Sequence, residues 1–412
     1  MDILKDLENR KILKNISNRD KFLSLDPNKT GVYVGFDPTA ESLHLGNYIL
    51  ISILKRFAKF GYKVYALIGG ATGMIGDPSF RDSERVLLKD KEVEKNKLKI
   101  KAQLESFGLE VIDNYYFYKN INVIDFLRDT GKLINVAYMM AKDSVQKRIE
   151  RGLSFTEFSY QVLQGNDFLH VYKNNDINIQ VGGSDQWGNI TSGLDMISRV
   201  FGDNHKAVGL TTNLLVDESG KKIGKSFGGG SLWLDKNMCS PYKMYQYLLT
   251  QPDSKVGELI NWLTFLDTSE IDKILREHFE DPSKQKAQKI LASEIVKDIF
   301  GEKELVQAQN ITSLLFDKNF DVKKLTFEDL NIIQNYLPTY VVKENDLLIQ
   351  SLINQKLFQS NREAKEFINN KALKIDDIDV NLETIYQPKN YDKKFAFFKK
   401  GKKQIVLIKT FI

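Results

Sequence analysis

The stretch from Gly35 to Asn47, Gly-Phe-Asp-Pro-Thr-Ala-Glu-Ser-Leu-His-Leu-Gly-Asn, constrains this chain more than any other. It follows Gly31–Phe36, an apolar run that predicts a short buried strand. After Gly46, a helical period places Ile49, Leu50, Ile53, Leu54 and Phe57 on one face, and Gly61 ends it. Lys63 to Ile68 predicts a second strand. Strand, polar loop, helix and strand make a βαβ unit, whose loop lies where such folds bind ligands. His44 stands beside Gly46 at the helix start, where backbone N–H groups and the helix dipole favour a phosphate. Far downstream, Lys222-Ile223-Gly224-Lys225-Ser226 offers cations on flexible stems. Neutral donors in one loop and lysines in the other suit a nucleoside triphosphate.

The bulk properties of the chain set wider bounds. Its 412 residues predict two or three domains, and 42% hydrophobic with 27% charged residues is a globular composition. Met1 to Lys14 alternates charged and apolar residues as an amphipathic helix does, so a signal peptide is not expected, nor is a membrane segment. The single cysteine, Cys239, excludes an intramolecular disulfide and fits a reducing cytoplasm. His44, His170, His205 and His278 are too dispersed for a local zinc motif, and no protein-bound metal is expected. From Val341 onward there are 14 Lys+Arg against 9 Asp+Glu, which accounts for the whole net charge of +5. That asymmetry suits an anionic partner such as nucleic acid, or an ordinary solvated tail.

Three regions follow from the patterning. Residues 1–236 read as an α/β Rossmann-like domain with a parallel sheet. Ile177 to Val181 is a further strand running into Gly182-Gly183-Ser184-Asp185-Gln186, with a helix from about Trp187. A helical insertion over roughly 90–175 includes the amphipathic segment Val136 to Glu150 and suits subunit contacts or cover for the sheet. Residues 237–320 predict an all-helical domain through Tyr242–Leu249, Val256–Leu266 and Gln288–Phe300. Residues 321–345, with Pro338, read as a connector. Residues 346–412 read as a small α/β module with two short helices, the second near Arg362–Asn369, and strands ending at Gln404–Ile408.

Several clusters carry chemistry. Thr39, His44 and Asn47 share one turn-rich loop, and Thr39 and His44 can donate to phosphate oxygens as charge moves to a leaving pyrophosphate. Gly69 to Pro78 follows a strand, has four glycines for close backbone approach, and lacks the Gly-Lys-Ser/Thr ending of a Walker loop. Asp77 there can pair with a ligand ammonium group, and Arg81 and Arg85 just beyond can reach a phosphate. Tyr160, Gln164 and Asp167 recur at i, i+4 and i+7 on a largely apolar helix. Buried polar groups need partners, and a small zwitterionic ligand would supply them. Asp185 is placed to accept from ribose hydroxyls.

Together these segments resemble a class I aminoacyl-tRNA synthetase, most closely the bacterial tyrosyl-tRNA synthetase family, over essentially the whole chain. The two class signatures stand as His44-Leu45-Gly46-Asn47 and Lys222-Ile223-Gly224-Lys225-Ser226. Asn47 replaces a histidine and Ile223-Gly224 replace Met-Ser; a side-chain donor and both lysines remain. The resemblance implies that Tyr33 and Asp167 hold the phenolic hydroxyl of L-tyrosine, and that Asp77, Tyr160 and Gln164 hold its ammonium group. Gln186 would lie near the carboxylate and α-phosphate. Gly183 and Asp185 would bind the ATP ribose, with Asp37 and Gly46 also in the ATP site. Thr39, His44, Asn47, Lys222, Lys225 and Ser226 would stabilise the pyrophosphate, helped by Arg81 and Arg85. Arg81 stands where the family has lysine, which keeps the charge and changes its geometry. Mg²⁺ is expected with ATP, and a homodimer is implied.

The C-terminal module resembles an S4-type RNA-binding domain. Ser360 to Lys365 matches the start of its RNA-facing helix, and Asp376-Asp377 stands where an Asn-Gly turn is usual. Arg362, Lys365, Lys399, Lys400, Lys402 and Lys403 are the expected contacts to tRNA(Tyr). Phe395, Phe397 and Phe398 between the lysines are expected inside, the lysines outside. Three alternatives stand beside this reading: a tryptophan-specific relative, an RNA-binding protein that has lost catalysis, and a small-molecule nucleotidyltransferase.

Overall fold

The computed structural model describes residues 2–79, 88–142, 145–146, 149, 152–218, 220, 223, 231–317, 321–401 and 404–411. The N-terminal segment starts as the expected helix, α1 (Ile3–Asn9), capped by Asp2, whose side chain accepts from Lys5 N. It then departs from that pattern. Leu13–Ile16 forms β1, an edge strand antiparallel to Val208–Thr212.

The βαβ unit forms as expected, through β2 (Gly31–Phe36), α2 (Leu45–Lys59) and β3 (Lys63–Ile68). With β4 (Glu110–Asp113), β5 (Ile177–Gly183) and β6 (Val208–Thr212) the sheet runs β1-β6-β5-β2-β3-β4, parallel except for β1. β2 pairs with β3 from Gly31↔Lys63 to Phe36↔Ile68, and with β5 on its other edge. Val32, Tyr33, Val34 and Phe36 are all buried, as in a parallel strand covered on both faces. β3 and β4 thus lie to one side of β2, and β5, β6 and β1 to the other. The crevice at their C-terminal ends is where this topology leaves room for a ligand.

Between β3 and β5, the stretch expected as a helical insertion over roughly 90–175 holds α3 (Asp90–Ser106), several short helices and α4 (Phe155–Asn174), but also β4, which departs from that expectation by pairing in parallel with β3. The segment expected as one amphipathic stretch from Val136 to Glu150 is helical over Val136–Met140, turns at Ala141, and is helical again at the described residues Val145, Gln146 and Ile149. α5 (Trp187–Phe201) follows β5. Helices α6 (Pro241–Leu249), α7 (Asp253–Leu263), α8 (Thr268–Glu280) and α9 (Lys286–Phe300) complete the unit Met1–Phe300.

A buried charge network seats α7 on α2. The last carbonyls of a helix have no intrahelical donor and carry the negative end of its dipole. Arg56 donates to Asn261 O at 3.1 Å, Trp262 O at 3.2 Å and Thr264 O. Arg10 donates to Asn261 O at 3.1 Å and Leu266 O at 2.7 Å. Asp6 balances both arginines, with Oδ1 2.9 Å from Arg10 Nε and Oδ2 3.5 Å from Arg56 Nη1. Burial, with Arg10 adding to it, brings the Arg56 guanidinium down to about 10.

The second unit, Gly301–Ile412, begins with α10 (Glu302–Phe316). The stretch 321–345, expected as a connector, carries α11 (Phe327–Ile333) and β7 (Thr339–Lys343). α12 (Leu348–Asn354) and α13 (Asn361–Asn369) come next, then β8 (Leu373–Ile375), β9 (Ile378–Asp379), β10 (Phe395–Lys400) and β11 (Gln404–Phe411). The sheet order is β7-β11-β10-β8-β9, with β7 parallel to β11. The phenylalanines of β10 explain why 321–345 is drawn in. Ala396 and Phe398 pack in the core with Leu348, Leu352 and Ala364. Phe395 and Phe397 also need cover, which comes from Phe327 at 5.7 Å and Tyr391 at 6.1 Å between ring centroids. Asp376 and Asp377, at φ 46° and 67°, make the β8–β9 turn in the left-handed conformation that short hairpins require.

Removing Asp6 leaves Arg10 and Arg56 buried without a carboxylate between them. Asp6→Ala is expected to lower stability by about 3 kcal/mol, read as a drop in the urea midpoint; an unchanged midpoint would show that the helix carbonyls alone satisfy both arginines.

Candidate active site

Four loops meet at the C-terminal ends of β2, β3, β5 and β6 and enclose a cavity of about 330 Å³. Its lining includes Tyr33, Asp37, Thr39, His44, Gly46, Asn47, Asp77, Tyr160, Gln164, Asp167, Gly183, Asp185 and Gln186. Residues from five separate segments of the sequence are therefore brought together. Arg81, Arg85, Lys222, Lys225 and Ser226 lie outside the described residues.

One end of the cavity is set by β2 and α4. Tyr33 is 1% exposed, and its hydroxyl has no hydrogen-bond partner among the described residues. Burial, reinforced by the nearby Asp167 carboxylate, pushes that phenol well above its ordinary pKa, so it stays protonated. Asp167 is buried on α4. Tyr118 Oη donates to its Oδ1 at 2.6 Å and Asn114 Nδ2 to its Oδ2 at 2.8 Å. Burial still outweighs these two donors and raises the carboxyl to about 7. A protonated phenol beside a fixed carboxyl can both give and take a hydrogen bond, which is what a ligand hydroxyl needs at an apolar pocket's end.

The middle of the cavity is a polar network. Tyr160 Oη donates to Asp37 Oδ2 at 2.9 Å, and Thr72 Oγ1 to Asp37 Oδ1 at 2.9 Å. Gln186 Nε2 donates to Asp77 Oδ2 at 2.8 Å, and Asn189 Nδ2 reaches Gln164 Oε1 at 3.0 Å. A Cβ on Gly69 would overlap Asp37 Oδ1 and Thr72 Oγ1, so only glycine lets this carboxylate lie against the turn after β3. Asp37, Asp77, Asp167 and Asp185 make the described lining acidic, with no lysine or arginine in it. Such a field favours an ammonium group.

The other end is built around the start of α2. His44 N-caps the helix, and Asn47 Oδ1 accepts from His44 N at 3.0 Å. The same segment is stitched to a distant one: Leu45 N donates to Leu232 O and Leu234 N to Leu43 O, both at 2.8 Å. On the near side of that segment, Ile223 N donates to Leu215 O at 3.1 Å. A Cβ on Gly46 would lie 2.9 Å from His44 Cε1 and 3.1 Å from Ile223 O. Ile223, within the second signature, and Leu232 and Leu234, beyond it, thus lie against the first.

Sequence reasoning did not single out Asn114, Tyr118 or Thr72. Asn114 accepts from Ala71 N at 2.7 Å and donates to Thr72 Oγ1 at 3.1 Å as well as to Asp167. It follows β4 directly, at the same sheet end as the other loops, and that strand lies in a stretch whose sequence reads as helical. In the second unit, Arg362 and Lys365 are exposed on α13. Lys399 pairs with Asp377 at 2.7 Å. Lys400 is turned inward, 11% exposed, bonded to Glu363 and Leu357 O at 2.8 Å. Lys402 and Lys403 are outside the described residues.

A parallel sheet with this crevice, a histidine-capped helix and an acidic cavity is the catalytic architecture of a class I tRNA synthetase, and residues 26–317 match the family of tRNA synthetases class I (W and Y). Residues 329–408 match the tyrosine–tRNA ligase SYY-like C-terminal domain. The chain belongs to the tyrosine–tRNA ligase family. It is 65% identical to the tyrosine–tRNA ligase of Mycoplasmopsis agalactiae over 100% of both chains, and 52% identical to that of Mycoplasmopsis synoviae over 99% of both. Among solved structures it resembles a C-terminally truncated mitochondrial tyrosyl-tRNA synthetase from Coccidioides posadasii. The TM-score is 0.66 at 30% identity, covering 75% of this chain and 91% of that one.

The raised Asp167 carboxyl has a consequence for stability. Between about pH 4 and 7 the folded protein holds a proton there that the unfolded chain has released, so this group's contribution falls as pH rises through that window. Asp167→Asn removes the titration. Its Tm is expected to vary less from pH 4 to 7 and to exceed that of the parent above pH 7 by about 2–4 °C. A lower Tm for the variant at pH 8 would mean that the Tyr118 and Asn114 bonds outweigh burial.

Proposed function

We propose that this cavity carries the family reaction, activation of L-tyrosine with ATP and transfer to tRNA(Tyr), with its residues divided as follows. Tyr33 and Asp167 hold the phenolic hydroxyl of tyrosine. The orphaned Tyr33 hydroxyl beside Asp167 is the observation that carries this reading. Asp77, Tyr160 and Gln164 receive the ammonium group in the acidic middle of the cavity. Gln186 orients the carboxylate towards the α-phosphate, and Gly183 and Asp185 take the ribose, with Asp37 and Gly46 close by. Thr39, His44 and Asn47 face the β- and γ-phosphates. The described lining is acidic, so the triphosphate draws its counter-charge from Lys222, Lys225, Arg81, Arg85 and from Mg²⁺ arriving with ATP, with Ser226 as a further donor.

The chemistry needs no covalent enzyme nucleophile. A tyrosine carboxylate oxygen attacks the α-phosphorus in line, the bond to the β-phosphate oxygen breaks, and pyrophosphate leaves. A hydroxyl of the tRNA 3′-terminal ribose then attacks the adenylate carbonyl, and AMP leaves. Placement of the reactants and donors aimed at the developing negative charge supply the rate.

The second unit serves tRNA binding, with Arg362, Lys365 and Lys399 as contacts and Lys400 holding α13 on the sheet. The chain works as a homodimer through the apolar surface between β4 and α4, where Val123 and Ile124 are 67% and 66% exposed. Light scattering that gave a monomer at micromolar concentration would remove that part. A cytoplasmic location goes with work in translation and with a single cysteine; no described helix is long and apolar enough to cross a membrane.

Amino-acid-dependent ATP–pyrophosphate exchange with Mg²⁺ and no tRNA tests the reading. Exchange is expected with tyrosine and not with phenylalanine or tryptophan. Tyr33→Phe is expected to lower kcat/KM for tyrosine about 10-fold and leave the KM for ATP unchanged. Tryptophan-dependent exchange would overturn the pocket assignment. Replacing Arg362 and Lys365 by Ala is expected to raise the KM for tRNA several-fold while exchange stays at the parent rate; equal loss of both would point to folding instead.

A further inference from the structure

The loop from Asp37 to His44 bears Thr39 and His44 and has almost no regular structure of its own. A surface stretch of this kind is ordered only if other elements hold it. Its holders lie along one face of α3, where Asn96, Lys99 and Gln103 recur at i, i+3 and i+7. Asn96, 2% exposed, donates to Pro38 O at 3.2 Å. Lys99, together with Lys95, pairs with Glu41. Gln103 makes two contacts at once: Oε1 accepts from Leu43 N at 2.9 Å, and Nε2 donates to Ser42 Oγ at 2.8 Å.

These contacts do not weigh equally. The lysine–glutamate pairs are exposed on both sides, and such pairs contribute little. Ser42 and Leu43 are 3% and 2% exposed, so the bonds from Gln103 are made away from water. Losing the amide strips a buried backbone N–H of its acceptor. The peptide it holds is also tied from the other side, because Ser42 Oγ and Leu234 N both donate to Leu43 O at 2.8 Å. The next residue is His44.

We infer that Gln103 is a positioning residue for adenylate formation: its side-chain amide fixes the Ser42–Leu43 backbone and through it the place of His44 against the leaving pyrophosphate. This rests on the reading of Thr39 and His44 as phosphate-facing. Donors that act on a transition state must be held before charge develops, since a small misplacement forfeits much of their effect. Gln103 itself does not line the cavity. Its loss therefore acts on the rate of the ATP step and spares tyrosine binding at the far end.

The test uses the full-length enzyme, with tyrosine-dependent pyrophosphate exchange read beside tyrosine Kd from equilibrium dialysis. Gln103→Ala is expected to lower kcat about 10-fold with tyrosine Kd unchanged, and Gln103→Glu, which keeps the acceptor for Leu43 N, to retain most of the rate. Lys101→Ala, an exposed change on the same helix, leaves the rate as it is. In a His44→Ala background the Gln103→Ala change is expected to cost less than about 2-fold, because the two act as one unit. A wild-type kcat for Gln103→Ala, an equal cost in both backgrounds, or a tyrosine Kd that rises in step with the rate loss would each overturn the proposal. A wild-type rate for His44→Ala would overturn the phosphate-facing reading beneath it.

Discussion

The site depends on the double pairing of β2. Hydrogen bonds to β3 on one edge and β5 on the other place the turn after each strand at the same sheet end. Because both faces of β2 are covered, its one polar side chain within the strand, Tyr33, can only point into packed protein or into the cavity. Apolar burial on this scale is strong enough to hold a tyrosine hydroxyl without a partner among the described residues and a carboxyl near neutrality, each of which costs stability by itself. The Tyr33 hydroxyl thus keeps unmet hydrogen-bonding capacity among the described residues, and the sheet around it carries the cost.

The described charge along the cavity is of one sign and suits an ammonium group rather than a polyanion. Four aspartates line the described cavity, and every cation expected to meet the triphosphate comes from segments that the strand ends do not themselves supply. The fixed part of the site thus repels a bare triphosphate. On the proposed reading, the counter-charge would come from the second signature and from Mg²⁺ arriving with ATP. The pairing of Leu43 and Leu45 with Leu234 and Leu232 brings the residues just after that signature against the first one.

The second unit shows how a short sheet is completed. β10 is apolar on both faces, so helices on one side alone could not bury it, and α11 and Tyr391 are recruited to the other. β7 then becomes the sheet edge. Gln355 covers part of that edge with its side-chain amide, accepting from Val341 N at 3.0 Å and donating to Val341 O at 2.7 Å. An edge strand left bare would invite pairing with another chain.

Much of this was legible in the residue order. The βαβ unit, the strand before Gly182, the helices of 241–300 and the polar loop that ends at His44 follow from periodicity, glycine placement and capping, which act over a few residues. Tyr160, Gln164 and Asp167 were readable as one helix face for the same reason. What the sequence could not reveal depends on contacts between distant segments. β1 takes its strand form from pairing with β6, about two hundred residues away. The stretch 321–345 is drawn into a sheet whose exposed face it must cover. Asn114 and Tyr118 matter because tertiary packing aims them at Asp167, and Lys400 faces inward because Glu363 and Leu357 O are there to meet it. Local order set the elements and the types of chemical group; long-range burial and hydrogen bonding alone decided which groups face each other across the cavity.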